Sequence, residues 1–331
     1  MVTSISLLIQ DASQVAEARR ISRSMARDTG FDETTAGRAA IAVMEMGTNL
    51  IKHAGGGEIL ITPLSGMNPG MEILSLDKGP GMEDLDRCLA DGFSTAGSPG
   101  NGLGAIVRVA DQWDIHTVPG KGTALVARFR NGGMEHPRYL DVSGINVPLT
   151  GETACGDSWA THCEPGRQLV LVVDGLGHGP MAEMAAREAI GAFQENVGES
   201  LQEIMEAMHG AMTHTRGAAL ALAEIDPERR QINYTGIGNI VGLVQSDEKV
   251  YRMISHNGIM GHTVRRFQQF SYPWPDDALL IMHSDGVGTH WNLNSYPGLS
   301  AQHPSVIAGV LYRDWSRGRD DATVVVAREI P

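Results

Sequence analysis

The sequence predicts two domains that mix helix and strand: a helical layer on one face of a mixed sheet, then a sandwich of sheets covered by helices. Three observations carry this expectation. At 331 residues the chain has room for two separately cored domains. The stretch Asn131-Gly132-Gly133-Met134-Glu135-His136-Pro137 is rich in turn residues and lacks periodicity, which divides the chain into domains 1–132 and 138–331. Helical patterns open the first part, whereas the second holds many short apolar runs with two helices between them.

In order, residues 5–9 read as a strand and 15–27 as a helix, with Val15, Ala18, Ile21 or Ser22, and Met25 at helical spacing. Asp32 reads as the cap of a second helix over 33–53. Strands are expected at 58–62, 71–76 and 123–129. In the second part helices are expected at 181–195 and 201–213, and strands at 217–224, 231–235 and 240–244. Met205, Met208 and Met212 recur at helical spacing and read as core.

A hydrophobic fraction of 42% and a charged fraction of 20% are those of an ordinary globular protein, which excludes a disordered chain. The net charge of -13 excludes a nucleic-acid surface, which needs a basic stripe. No apolar run approaches the ~18 residues of a membrane span, and the N-terminus lacks the basic segment and apolar core of a signal peptide. Three cysteines (Cys88, Cys155, Cys163) at no metal-binding spacing complete the expectation of a reduced, cytoplasmic protein.

Two apolar runs in the second part end in the same dipeptide. Residues 169–173 lead into Asp174-Gly175 and residues 278–282 into Asp285-Gly286. A short apolar run closing on Asp-Gly reads as a buried strand that delivers a carboxylate to the mouth of a sheet. A third run, 322–327, is preceded by Asp320-Asp321, and Asp157 stands in a further short motif. Carboxylates at several strand ends, with glycine letting backbone approach closely, suit a cluster of hard divalent cations.

In the first part, Glu45 and Asn49 are four residues apart and project from one helix face. A Glu and an Asn on an otherwise apolar helix are costly to bury without partners. Asp77-Lys78-Gly79-Pro80-Gly81 follows a strand, and Gly100-Asn101-Gly102-Leu103-Gly104 is a glycine-rich turn opening a helix, where backbone N–H groups can receive phosphate. Gly120-Lys121-Gly122-Thr123 then leads into a strand. In this order the four pieces resemble the GHKL (Bergerat) α/β sandwich of anti-sigma-factor serine kinases and histidine kinases, most closely the RsbT-like switch kinases, over residues 1–130.

That resemblance implies ATP with Mg²⁺ as ligand. It implies that Asn49 holds the Mg²⁺, that Glu45 accepts the proton of an attacking hydroxyl, and that Asp77 accepts from the adenine amine with Thr123 near the same ring. Gly79 and Gly81 form the first glycine box, residues 93–101 a lid, and Gly102 and Gly104 the phosphate contact. Lys52 is either a further phosphate contact or an exposed helix lysine. With no histidine-bearing helix ahead of it, the domain is expected to transfer phosphate to a protein Ser or Thr, by positioning and charge neutralisation.

The second part, through Asp157, "VVDGLGHGPMAEMAA", "HSDGVG" and "RDDATVVVA", is similar over 138–330 to the SpoIIE and RsbX type of metal-dependent (PPM) Ser/Thr phosphatase. The resemblance implies a PPM-type α-β-β-α sandwich and two Mn²⁺ or Mg²⁺ ions. Asp174 would bridge the ions, the Gly175 carbonyl would join one, Asp285 and Asp320 would complete a shell, and Asp157 would contribute, with Asp321 as the neighbour of Asp320. Such an ion pair activates water and stabilises phosphoryl charge. His178 would either protonate the leaving serine oxygen or hold its loop. No cationic side chain stands out as the grip on the substrate phosphate.

Together the two resemblances imply a bifunctional stress-signalling switch, an RsbT-like kinase fused to an RsbX-like phosphatase, acting on a STAS-domain anti-sigma antagonist or stressosome-like protein. Opposed activities on one residue would only consume ATP, so two target sites or reciprocal control by nucleotide are expected. The alternative is a phosphatase whose first domain senses nucleotide and binds a partner without transferring phosphate.

Overall fold

The computed structural model describes residues 3–64, 69–89, 102–131 and 140–330. The first sheet is built from β1 (Ile5–Ile9), β2 (Gly57–Leu64), β3 (Gly70–Leu76), β4 (Gln112–Val118) and β5 (Gly122–Arg130), in the order β1-β2-β3-β5-β4. All four ladders are antiparallel, where a mixed sheet was expected. The pairs β2–β3 and β4–β5 follow one another directly along the chain, a connection that favours antiparallel pairing.

Helix α1 (Ala12–Asp28) starts where Asp11 accepts from the amides of Ser13 and Gln14 while Gln14 returns a bond to the Asp11 amide, a capping box. Helix α2 (Glu33–Asn49) is capped by Asp32, which accepts from the Thr35 amide at 2.7 Å. It does not run on to residue 53 as a regular helix. At Asn49 it widens into a π-helical turn, Leu50–Ala54, which stops at Gly55 in the left-handed region. Two short helices, α3 (Leu85–Leu89) and α4 (Gly102–Val109), follow β3. One face of the sheet (Ile59, Ile61, Met71, Ile73, Leu125, Ala127, Phe129) packs with Val15, Ala18, Ala39, Val43, Met46 and Ile106.

The C-terminal part contributes β6 (Leu140–Val147), β7 (Asp157–Glu164), β8 (Arg167–Gly175), α5 (Pro180–Glu195), α6 (Leu201–Ala211), β9 (Ala218–Asp226), β10 (Gln231–Ile237) and β11 (Val241–Gln245). It continues with β12 (Val250–Arg252), β13 (Ser255–His256), β14 (Phe270–Pro273), β15 (Leu279–His283), α7 (Pro304–Trp315) and β16 (Ala322–Glu329). One sheet runs β13-β10-β9-β8-β7 with β14 on β10, and the other runs β12-β11-β15-β16-β6. Between them lies a core of Val170, Val172, Ala221, Ala223, Tyr234, Leu280, Met282 and Val325. On the outside of the first of these sheets, Leu169, Leu171 and Val173 meet α5 and α6, including the fully buried Met205 and Met208.

The domain boundary near residues 132–138 does not account for the whole division. One compact unit comprises 4–136 together with 292–313, and the other comprises 1–3, 137–291 and 314–331. The expected domain 138–331 therefore lends a segment, including most of α7, to the N-terminal unit. The reason lies on the second face of the first sheet. There Leu74 and Leu76 lie against Gly309, where an added Cβ would stand 2.8 and 3.0 Å from their methyls.

Beside them Arg128 Nε pairs with Glu72 at 2.7 Å, both side chains buried, and Ser305 donates to Glu72 while accepting from Arg128 Nη2 at 2.8 Å. Tyr312 donates to Glu58, and the His303 amide donates to Asp114. Alternation in β3 and β5 would put Glu72 and Arg128 in solvent, but the returning segment buries them. Removing one partner of this pair, as in Glu72→Ala, is expected to cost about 3–5 kcal/mol in urea unfolding, and the double variant Glu72→Leu/Arg128→Met distinctly less. Equal losses would show that the ion pair is not what the buried site requires.

Candidate functional site

In the C-terminal unit the acidic residues gather at one end of the two facing sheets. Asp174 is the penultimate residue of β8 and is registered opposite Asp157 at the start of β7. On the other sheet Asp285 follows β15 by two residues, and Asp320-Asp321 lead directly into β16, which pairs with β15 from His283↔Val324 onward. Burial and the charges of Asp285, Asp320 and Asp321 push the Asp174 carboxyl up to about 7, opposed by a hydrogen bond from the Asp285 amide. Burial, then the charge of Asp174, holds Asp157 well above the usual range, and burial with the charge of Asp320 raises Asp285. Asp174, Asp285 and Asp320 are thus electrostatic neighbours.

Among the described residues no three His, Cys, Asp or Glu side chains are already gathered at ligand spacing around one point. The donor set nevertheless fits a hard divalent cation. All the side-chain donors are carboxylate oxygens, and Asp157 Oδ2 is buried with no hydrogen-bond partner. Asp320 and Asp321 differ in their hydrogen bonding. Asp321 is committed to the fold, since its two oxygens accept from the amides of Leu149 and Gly156, each at 2.7 Å. Asp320 accepts only the Asp321 amide, at 2.9 Å, among the described residues.

The two glycines that follow the key aspartates are required by close approach. A Cβ on Gly286 would stand 1.9 Å from the Asp321 carbonyl oxygen, and one on Gly175 would stand 2.3 Å from that of Ala182. Asn239, which sequence reasoning missed, donates from Nδ2 to Asp285 Oδ2 at 2.6 Å. A single amide in a turn after β10 carries no pattern that would have singled it out. His178 pairs through Nδ1 with Glu152 at 3.0 Å, a loop-holding contact, and stays exposed.

In the N-terminal unit Glu45 and Asn49 converge on the start of α4. An added Cβ at Gly102 would lie 3.2 Å from both Glu45 Oε2 and Asn49 Oδ1, so the glycine keeps open the space between them. Asp77 Oδ1 accepts from the amides of Gly79 (2.8 Å) and Thr123 (3.2 Å), and burial raises its carboxyl. Thr123 Oγ1 shares a hydrogen bond with Thr117, and Gly81 turns the chain at φ 68. Gly104 is buried in α4, and Lys52 is exposed on the π-helical turn. The expected lid, 93–101, lies outside the described residues. A contact no sequence signal could reveal is that Arg313 Nη1 donates to the Asp77 carbonyl at 2.9 Å.

Residues 164–329, half of the chain, match the family model described as Stage II sporulation protein E (SpoIIE). The chain belongs to the SpoIIE family. Its phosphatase unit is thereby of the PP2C-type Ser/Thr class, while residues 8–129 match the histidine kinase-like ATPase domain. The chain is 33% identical over 114 residues to the serine/threonine-protein kinase RsbT of Bacillus subtilis (strain 168), covering 34% of this chain and 86% of that one. It is 24% identical over 155 residues to the phosphoserine phosphatase RsbX of the same organism, covering 46% and 78%. Among solved structures, RsbX in complex with magnesium shares the fold at a TM-score of 0.52 and 20% identity, over 59% of this chain and 98% of that one.

The raised carboxyl of Asp174 has a stability consequence. Between its ordinary 3.8 and about 7 the folded chain keeps a proton that the unfolded chain releases, so stability falls as pH rises through that window. In chelator, the parent is expected to lose stability on going from about pH 5 to pH 8, and Asp174→Asn to show a shallower slope and higher stability at the alkaline end. Denaturant unfolding across pH checks this, and identical slopes would contradict a shared acidic field.

Proposed function

We propose that this SpoIIE-family chain is a cytoplasmic partner-switching protein. Its C-terminal unit removes phosphate from Ser or Thr of a STAS-domain regulatory partner, and its N-terminal unit binds ATP with Mg²⁺ and phosphorylates such a partner. The observation that carries the phosphatase half is the convergence of Asp174, Asp285 and Asp320 from two facing sheets, with an unpartnered buried oxygen on Asp157. Two divalent cations bound there would supply an acidified water and charge for the phosphoryl group. Asp174, Asp285, Asp320 and the Gly175 carbonyl would hold them, with Asn239 keeping Asp285 oriented. Asp321 keeps the loops of residues 149 and 156 against the cluster.

In the N-terminal unit Glu45 would take the hydroxyl proton, Asn49 would hold Mg²⁺ and Asp77 would receive the adenine amine. Exposed apolar side chains close to both sites suit a protein substrate: Ile41 and Met44 on the helix of Glu45, and Leu176 and Met181 on the segment after Asp174. No described helix is long and apolar enough to cross a membrane.

A second reading makes the N-terminal unit a nucleotide sensor that controls the phosphatase without transferring phosphate. One observation favours it. The chain leaves the acidic site after Asp285, packs residues 292–313 on the nucleotide unit's sheet, touches Asp77 through Arg313, and returns to Asp320. Nucleotide occupancy and two of the proposed ligands thus share one short stretch of chain.

With Mn²⁺ and a phosphorylated STAS partner, Asp285→Asn is expected to lower hydrolysis by about 10²-fold or more, the scale on which removal of one electrostatic group at a phosphoryl or acyl site acts. With labelled ATP, phosphotransfer that Glu45→Ala abolishes supports the kinase. Absence of transfer in the parent, with hydrolysis that responds to ATP and loses the response in Arg313→Ala, supports the sensor.

A further inference from the structure

A phosphoserine reaching the acidic site brings close to two negative charges to a cluster of carboxylates, so cations must be placed to receive it. We propose that Arg216 and Arg317 are that receiving pair, one beside each Asp-Gly turn, gripping the non-reacting oxygens of the substrate phosphate. The proposal deepens the phosphatase reading and rests on it.

Arg216 is tied to the first turn. It precedes Gly217, whose carbonyl accepts the Leu176 amide at 3.0 Å, just past Asp174-Gly175. Its Nη1 lies 3.3 Å from the place a Cβ on Gly177 would occupy, so the guanidinium lies over the turn and glycine leaves room for it. Gly217 itself sits at φ 83 with its Cβ direction blocked 2.5 Å away by the Met260 carbonyl, so the backbone beside Arg216 admits only glycine.

Arg317 is tied to the second turn in a parallel way. Its amide donates to the Gly286 carbonyl at 2.9 Å, and its charge acts on Asp285.

Both side chains are exposed, and among the described residues neither makes a side-chain hydrogen bond or ion pair, although Asp285 lies within the field of Arg317. Arginines that brace this unit look different. Arg167 is held by Glu224 and by the carbonyls of Val197 and Glu199, and Arg230 by Glu329. An uncommitted guanidinium at each turn presents a planar fork of donors that matches two phosphate oxygens, which a lysine cannot reproduce.

The test uses the full chain with Mn²⁺, p-nitrophenyl phosphate and a phosphoserine peptide as substrates, and inorganic phosphate as inhibitor. Arg216→Ala and Arg317→Ala are each expected to raise KM and the inhibition constant of phosphate about tenfold, the size of one lost charge-assisted bond. Arg216→Lys is expected to recover part of that affinity, and Mn²⁺ binding by calorimetry to stay unchanged in all three. Unaltered KM and phosphate inhibition in both alanine variants would overturn the proposal. So would loss of Mn²⁺ binding, which would make the arginines supports of the carboxylates. Full hydrolysis by Asp174→Asn, run alongside, would instead overturn the phosphatase reading itself.

Discussion

Mutual repulsion among carboxylates at one end of the two facing sheets is the constraint around which the C-terminal unit is arranged. Asp157 and Asp174 are opposite one another on adjacent strands, and the charges of Asp285, Asp320 and Asp321 all act on Asp174. Burying such a group without compensation is costly, and the local structure shows how each member is managed. Asp321 accepts from two backbone amides, Asp285 is held by Asn239, and among the described residues Asp157 Oδ2 has no hydrogen-bond partner. Gly175 and Gly286 let the flanking backbones approach closely enough for the cluster to form. The raised carboxyls of Asp157 and Asp174 show that their proximity and burial are compensated only in part by the surrounding protein.

The excursion of residues 292–313 gives the chain a character that neither half has alone. Between two of the proposed ligands, the polypeptide supplies the outer cover of the N-terminal unit's sheet, completing the buried Glu72–Arg128–Ser305 network. Arg313, the last residue of that excursion, reads the backbone of Asp77. The core of the N-terminal unit is thus completed by sequence that lies, along the chain, within the phosphatase half.

Much of this was legible in the sequence because it rests on local patterns. Apolar runs closing on Asp-Gly marked β8 and β15, Asp32 marked the start of α2, and the four-residue spacing placed Glu45 and Asn49 on one face. What escaped depends on long-range packing. Glu72 and Arg128 look like solvent-facing positions until α7 covers them, and α7 carries no sign of which sheet it will meet. The π-helical turn after Asn49 contains no breaker residue, so no local pattern announces it. Asn239 is one amide in a turn, and its role exists only because Asp285 arrives from a strand 46 positions later.

Direct observation of the cations tests the central claim most sharply. In electron paramagnetic resonance of the nucleotide-free chain titrated with Mn²⁺, the account predicts two bound ions with spin–spin coupling, and loss of that coupling in Asp174→Asn. A single isolated ion in the parent, or a coupled pair untouched by Asp174→Asn, would contradict it.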